Sequence, residues 1–104
     1  MRTTLRIKKV YLDEILTYKK TEEYRDFTQY YVSRLCEKVG DEVTGIKPIT
    51  EVCLIAGYAA NSPRAVVEVK EITVDQYVDD NDNLIDDYYF TIFLGKVLET
   101  NFLD

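Results

Sequence analysis

Three charged side chains near residue 20 have the types and spacing best suited to ligand chemistry in this sequence. Lys20, Glu23 and Arg25 lie within six residues, in the order cation, anion, cation. Arginine can bind a phosphate or carboxylate through two parallel hydrogen bonds, and lysine binds one as a compact point charge. The same triplet can also be a solvated strand edge, or a buried ion-pair network that only stabilises the fold. The elements that position it therefore decide its role.

The chain contains no histidine, which excludes several common kinds of site. Ser–His and Cys–His nucleophile pairs need histidine, and histidine is also the commonest general base. Cys36 and Cys53 each lie in an apolar run and form no CxxC motif. We therefore expect two buried, reduced thiols rather than a disulfide or a zinc site. We expect no metal and no cofactor, and any catalysis must use Lys, Glu, Asp, Tyr or Thr.

The length of the chain fits one globular domain, and we expect a single domain over residues 1–104. No apolar run approaches the roughly 20 residues that a membrane helix needs, so we expect no membrane partner. The first residues have a strand-like pattern rather than that of a signal peptide. We therefore expect a cytoplasmic protein.

The charge is distributed unevenly between the two halves of the chain. Residues 1–50 contain ten Lys or Arg and eight Asp or Glu, a balance of +2, whereas residues 51–104 contain three and eleven, a balance of −8. Affinity for nucleic acid rises with the number of phosphates that basic side chains neutralise. Any contact with nucleic acid should therefore be local and should use the first half.

The elements around the triplet alternate between strand and helix patterns. Residues 3–9 alternate apolar and basic side chains, which predicts a strand with a basic outer face. Residues 11–18 have an apolar stripe at helical spacing, which predicts a helix. Residues 21–25 alternate again, so the triplet should lie on a strand that follows this helix.

A second helix is predicted to begin at a cap formed by Asp26 or Thr28 and to end near Val39, before Gly40. Its apolar side chains recur every four residues and are expected to face the core: Phe27, Tyr31, Leu35 and Val39.

The second half of the sequence indicates mainly strands. A polar connection over residues 41–48 leads to an apolar central strand at 51–58, and a turn then leads to an antiparallel strand at 64–74. The acidic residues 75–87 predict a solvated, mobile loop, and residues 88–98 predict a long strand, in which Gly95 marks a bend or a close approach. Together the elements predict an α+β fold, a small barrel or strongly curved sheet with helices packed on it.

The triplet and its surroundings resemble the signature of ASCH domains, relatives of the PUA domain, in which Gly-x-Lys-x-x-Glu-x-Arg follows the first helix. Lys20, Glu23 and Arg25 match this pattern, and Tyr18 occupies the glycine position. That tyrosine is expected either to tighten the pocket or to stack at its mouth. The likeness covers about residues 5–99, is strongest to small stand-alone bacterial and phage members, and extends through Asp13-Glu14-Ile15-Leu16, Tyr30-Tyr31, Arg34-Leu35, Gly57-Tyr58, Pro63-Arg64 and Leu94-Gly95-Lys96.

The resemblance implies a small PUA-like β-barrel with two helices packed on it, and a cleft beside the first helix that holds RNA or a nucleotide without catalysis. Lys20 and Arg25 would then contact phosphate or carbonyl oxygens, and Glu23 would accept from an N–H group of a base. The aromatic side chain of Tyr58 or Tyr30 would stack on that base. The ligand-binding residues expected in addition are Tyr18, Arg64 and Lys96.

Two other functions remain open. The similar N4-acetylcytidine amidohydrolases of bacteria have Lys-x-x-Thr after the first helix, with threonine as nucleophile and lysine as its base. This chain has Lys20 but carries Glu23 in place of that threonine, and Thr21 is expected to point to the opposite face of a strand. If the chain is an enzyme, Lys20 and Glu23 are its candidate catalytic residues. Alternatively, residues 75–87 bind a basic protein partner, as a phage-type inhibitor would.

Overall fold

The computed structural model describes residues 1–101, which form an α+β fold with two helices, a mixed five-stranded sheet and a separate two-stranded hairpin. The predicted fold class is confirmed at this level. The elements in chain order are β1 (Arg2–Arg6), α1 (Lys9–Leu16), β2 (Glu22–Asp26), α2 (Gln29–Leu35), β3 (Cys36–Val39), β4 (Glu42–Ile46), β5 (Glu51–Ile55), β6 (Arg64–Val78) and β7 (Leu84–Thr100).

The five-stranded sheet has the order β1-β5-β6-β7-β2, with β1 parallel to β5 and every other pair antiparallel. The predicted antiparallel pairing of the strands now assigned as β5 and β6 is confirmed. Strands β1 and β2 form the two edges of the sheet, and no backbone pairing joins them within residues 1–101.

The closed barrel that the resemblance implied is therefore not formed in this part of the chain. Closure would require the edge strands to exchange backbone hydrogen bonds. On β2, the N–H of Tyr24 instead donates to the carboxylate of Glu23 (3.2 Å), and on β1 the carbonyl of Thr4 accepts from the guanidinium of Arg34 (3.2 Å). Side chains thus form hydrogen bonds with backbone groups of β1 and β2 that barrel closure would pair with each other.

The core joins buried apolar side chains of both helices to those of the sheet. Helix α1 buries Leu12 and Ile15, and α2 buries Val32 and Leu35. The sheet contributes Phe90, which is fully buried, together with aliphatic side chains of β1, β5, β6 and β7. Burying one such side chain stabilises the fold by about 1.5–3 kcal/mol. This packing fixes α1 and α2 against β1, β5, β6 and β7.

The second helix begins as predicted but ends four residues early. The hydroxyl of Thr28 accepts from the N–H of Tyr31 and caps α2, which ends at Leu35. From Cys36 the chain is extended and pairs with β4 as a hairpin. The predicted core position of Val39 is wrong, because this residue is 72% exposed. The polar connection predicted at residues 41–48 mostly belongs to β4.

The acidic residues 75–87 are largely strand rather than loop, so that prediction is also wrong. Strand β6 continues to Val78 and pairs with the start of β7, leaving a turn of residues 79–83. The apolar residues that alternate with the aspartates allow this pairing. Since β2 pairs with β7 only as far as Tyr89, residues 76–88 extend beyond the sheet as a two-stranded ribbon, here called the acidic arm.

The predicted close approach at Gly95 is confirmed. A Cβ atom at this position would collide with Oε1 of Glu68, whose carboxylate accepts from the N–H of Lys96 (3.3 Å). Cys36 is buried, Cys53 is half-buried, and both are free thiols. Neither helix among residues 1–101 has the length and apolar character needed to cross a membrane.

Candidate functional site

The end of α1 determines where the charged triplet begins. The N–H of Tyr18 donates to the carbonyl of Ile15 (3.1 Å), and the N–H of Lys19 donates to that of Glu14 (2.9 Å). This pair of bonds is the Schellman arrangement, which ends a helix and needs a residue with positive φ, usually glycine. Tyr18 adopts that conformation with φ +59°. Tyr18, at the glycine position of the motif, therefore ends α1 and is the helix stop.

Glu23 lies at the centre of the triplet and is only 6% exposed. Its Oε2 accepts from Nη2 of Arg25 (3.0 Å), and its Oε1 lies 3.6 Å from Nζ of Lys20. Oε1 also accepts from the N–H of Tyr24 (3.2 Å). Glu23 and Arg25 share a face because they are two residues apart on β2. The triplet is thus a nearly buried ion-pair network rather than a solvated strand edge.

Tyrosine rings enclose the two cations of this network. Nζ of Lys20 lies 5.4 Å from the ring centroid of Tyr11 and 5.5 Å from that of Tyr24. Nη1 of Arg25 donates to the hydroxyl of Tyr31 (3.0 Å). Cation–π contacts of this kind are favourable and fix the direction of the charge. Both cations are therefore held in place before any ligand arrives.

A cleft of about 210 Å³ opens between the end of β1 and the face of β2, and we call it the β1–β2 cleft. Its position follows from the open sheet, because the two unpaired edges approach each other here. Two residues of the charged triplet, Glu23 and Arg25, line the cleft. Residues of β1, of α1 and of the segment between them line it as well. The full lining is Arg6, Ile7, Lys8, Tyr11, Glu23, Tyr24 and Arg25.

The charge around this cleft is positive, although the whole chain carries −6. The lining has three cations, Arg6, Lys8 and Arg25, against one carboxylate, Glu23. Within residues 1–101 the ammonium of Lys8 has no hydrogen-bond or ion-pair partner. A positive cleft with one carboxylate and two tyrosines can bind an anion together with a flat, hydrogen-bonding ring.

Tyr24 contributes to the cleft and also makes a contact with Glu22. Its hydroxyl donates to the carboxylate of Glu22, and this hydrogen bond raises the pKa of the Tyr24 phenol above its usual value. A tyrosine phenol is protonated at neutral pH even without this shift, so the Tyr24 ring has the ordinary π-face that a base or a cation can contact.

The other predicted ligand residues lie at different distances from the cleft. Tyr58 is 86% exposed and its ring lies 4.9 Å from the guanidinium carbon of Arg6, so it stands beside the cleft without lining it. Tyr30 lies on α2, outside the cleft, with its ring centroid 5.0 Å from that of Tyr31. Neither is directly part of the cleft lining.

Tyr18, Arg64 and Lys96 are separated from the β1–β2 cleft. The Tyr18 hydroxyl accepts from the backbone N–H of Val97 (3.1 Å), so its role in this structure is a tertiary hydrogen bond. Arg64 donates to the carbonyls of Ala60 (2.9 Å) and Ser62 (3.3 Å) and thus fixes the turn between β5 and β6. Lys96 is exposed on β7 and is not among the lining residues.

Several residues of the site have no counterpart in the predicted set. Arg6 and Lys8 belong to the basic outer face predicted for the first strand. The alternation of apolar and basic residues there could have identified them as candidates for the site. No sequence pattern identifies Tyr11, Tyr24 and Tyr31, because their proximity to the triplet depends on how α1, β2 and α2 pack.

A neighbouring cleft of about 330 Å³ on the other side of Tyr24 contains Lys20 and Thr21. Thr21 lies directly before β2, which begins at Glu22, and its carbonyl accepts from the N–H of Leu94 on β7 (2.9 Å). Glu14 and Glu22 line the same cleft.

No family model, curated protein or solved structure matches this chain. The ASCH resemblance thus rests on the motif residues themselves. Within residues 1–101, no three His, Cys, Asp or Glu side chains are grouped so that they could hold a metal ion.

Proposed function

We propose that this chain binds RNA or a nucleotide in the β1–β2 cleft, as a PUA-like relative of the ASCH domains whose sheet is open between β1 and β2. The observation that carries the proposal is the convergence of three cations and two tyrosine rings on one cleft in an acidic protein. Phosphates and bases are the ligand groups that match these two kinds of side chain.

The chemistry of the cleft suggests how a nucleotide would lie. Arg6 and Lys8 would contact a phosphate, because neither forms an ion pair with a carboxylate of residues 1–101. Glu23 would accept from an amine or imide N–H of a base, while Tyr11 or Tyr24 would contact its face. The cleft of about 210 Å³ is smaller than the roughly 300–1,000 Å³ typical of whole small-molecule pockets, so it would hold one part of a nucleotide.

Amide chemical shifts provide the direct test. A panel of the four ribonucleoside 5′-monophosphates and a short single-stranded RNA is titrated into ¹⁵N-labelled protein. We expect shifts at the amides of Arg6, Lys8, Tyr24 and Arg25. Lys8→Gln should weaken binding by about tenfold, because a hydrogen bond to a charged group contributes about 1.5–3 kcal/mol.

Lys70→Gln is the matched control. It removes the same charge from an exposed position on β6, away from the cleft, so binding should be nearly unchanged. If no nucleotide and no RNA shifts the cleft amides, the proposal is wrong. If Lys8→Gln and Lys70→Gln weaken binding equally, the attraction is general and does not depend on the cleft.

The acidic arm supports a second candidate function, the binding of a basic protein. The arm combines five aspartates with apolar side chains that are exposed, including Val78 at 51% and Leu84 at 68%. A charged surface with an apolar centre is typical of a protein interface. Replacing the five aspartates by asparagine should abolish co-purification of a basic partner if this function holds, and should leave nucleotide binding unchanged.

A further inference from the structure

A second, larger cleft lies on the far side of α2 and has no acidic lining. It measures about 510 Å³, and we call it the α2 groove. Tyr30, Ser33 and Arg34 of α2 line it together with Thr3 and Lys47. None of its lining residues, all within residues 1–101, is Asp or Glu. The groove is therefore locally positive, although the whole chain has a net charge of −6.

Neutral oxygens hold the cations of this groove in place. Nη1 of Arg34 donates to the carbonyl of Thr4 (3.2 Å), and Nζ of Lys47 donates to the carbonyl of Ser33 (2.8 Å). Neither side chain forms an ion pair with a carboxylate of residues 1–101, in contrast to Arg2, which pairs with both Glu51 and Glu99. The positive charges are therefore positioned but not neutralised, which suits an anionic ligand.

A continuous row of side chains connects the α2 groove to the β1–β2 cleft. The guanidinium carbon of Arg25 lies 5.5 Å from the ring centroid of Tyr31, and the rings of Tyr31 and Tyr30 lie 5.0 Å apart, edge to face. The guanidinium carbon of Arg34 lies 4.9 Å from the ring of Tyr30. These three steps place the two guanidinium carbons no more than about 15 Å apart. Tyr30, at the centre of this path, is 53% exposed.

We propose that single-stranded RNA crosses α2, with one nucleotide in the β1–β2 cleft and the next phosphates on Arg34 and Lys47. The Tyr30 ring provides a stacking surface for a base between them. This inference rests on the proposed function of the cleft and makes the ligand an oligonucleotide rather than a free mononucleotide. Proteins that bind single strands combine a positive groove with exposed aromatic rings in this way, over site sizes of about 4–16 nucleotides.

The test compares ligand lengths on the full chain. Fluorescence anisotropy and amide shifts are measured with uridine 5′-monophosphate and with oligouridylates of two, four and eight nucleotides. We expect the octamer to bind at least about tenfold more tightly than the monophosphate. Arg34→Gln and Lys47→Gln should each weaken octamer binding several-fold and reduce the slope of log Kd against log salt by about one. Neither should change binding of the monophosphate.

Tyr30 provides a test that does not depend on charge. Tyr30→Ala should weaken octamer binding and leave monophosphate binding unchanged, whereas Tyr30→Phe keeps the ring and should bind as the wild type does. Lys70→Gln is again the control for a lost surface charge. Circular dichroism of each variant establishes that α2 is still folded.

The outcomes separate this inference from the proposed function. If the monophosphate shifts the cleft amides but the octamer binds no more tightly, the path across α2 is wrong and the cleft proposal stands. Equal effects of Arg34→Gln, Lys47→Gln and Lys70→Gln would also overturn the path. If an octadeoxyuridylate binds as tightly as the RNA, the assignment to RNA is wrong. An acidic peptide that displaces the octamer at equal concentration would overturn the choice of a nucleic acid.

Discussion

The hydroxyl of Tyr18 accepts a hydrogen bond from the backbone N–H of Val97 at 3.1 Å, and this bond ties the end of α1 to β7, 79 residues later in the chain. Tyr18 also holds a positive φ of +59°, which a side chain with a Cβ atom adopts at a cost of about 1–2 kcal/mol. The tertiary bond offsets part of that cost. A tyrosine can thus occupy a helix stop where the ASCH pattern has glycine.

Replacing Tyr18 should therefore show two opposing contributions to stability. Tyr18→Gly and Tyr18→Ala both remove the hydroxyl, but only alanine keeps the strain of positive φ. We expect Tyr18→Gly to be more stable than Tyr18→Ala by about 1 kcal/mol in chemical denaturation. Tyr18→Phe, which loses only the hydrogen bond, should be less stable than wild type by about 1 kcal/mol. If the glycine and alanine variants are equally stable, the backbone at position 18 is not strained.

Breaking the network around Glu23 should cost much more than a surface substitution. Glu23→Gln would leave Lys20 and Arg25 facing a neutral amide in a nearly buried position. Removing one partner of a buried ion pair typically costs about 3–5 kcal/mol, and because Lys20 is partly exposed we expect about 3 kcal/mol in urea denaturation. Glu22→Gln is the matched control, because Glu22 is half-buried on the same strand and forms no ion pair among residues 1–101, and it should cost less than about 1 kcal/mol.

A double variant separates the structural role of this network from its role in binding. Glu23→Leu with Arg25→Met removes both charges, and apolar replacements of a buried pair are often neutral or stabilising. We expect the double variant to be more stable than Glu23→Gln while losing nucleotide binding. A double variant that still binds nucleotides with wild-type affinity would show that the network only stabilises the fold.

The local part of the site was predictable from sequence, because Lys20, Glu23 and Arg25 lie on one short segment whose period indicated a strand. The helix cap at Thr28 was predictable for the same reason. The end of α2 was not predictable. The four-residue spacing of Leu35 and Val39 fits a continuous helix as well as it fits a helix followed by a hairpin. Arg6 of β1 and Lys8, which follows it, are positioned by the parallel pairing of β1 with β5, a long-range contact that local periodicity does not encode.

The stability of the turn at the tip of the acidic arm should depend on pH, because the carboxylate of Asp79 caps this turn. Its Oδ1 accepts from the backbone N–H groups of Asn83 (2.9 Å) and Asn81 (2.8 Å), and these bonds hold the pKa of Asp79 below its usual value. Because the folded turn favours the charged carboxylate, its contribution to stability is present above the ordinary aspartate pKa of about 3.9 and is lost as pH falls through the lower folded value.

We therefore expect the amide signals of Asn81 and Asn83 to move together at acidic pH, with a midpoint below that of a model aspartate. Asp79→Asn should remove this titration and loosen the turn at every pH, as measured by hydrogen exchange. Asp80→Asn is the control, because among residues 1–101 no hydrogen bond to its carboxylate was found. A midpoint equal to that of the model compound would contradict the capping role of Asp79.

Binding without hydrolysis is the last expectation, and it is tested with N4-acetylcytidine. The sequence resemblance would place Glu23 where N4-acetylcytidine amidohydrolases have a nucleophilic threonine, and a carboxylate that accepts hydrogen bonds from Tyr24 and Arg25 does not supply that hydroxyl. We expect no release of acetate above background at high protein concentration. If acetate is released, Thr21→Val and Glu23→Gln identify the group responsible. Loss of release only in Thr21→Val would assign the nucleophile to the cleft that Thr21 shares with Lys20, and the function would be hydrolysis rather than binding.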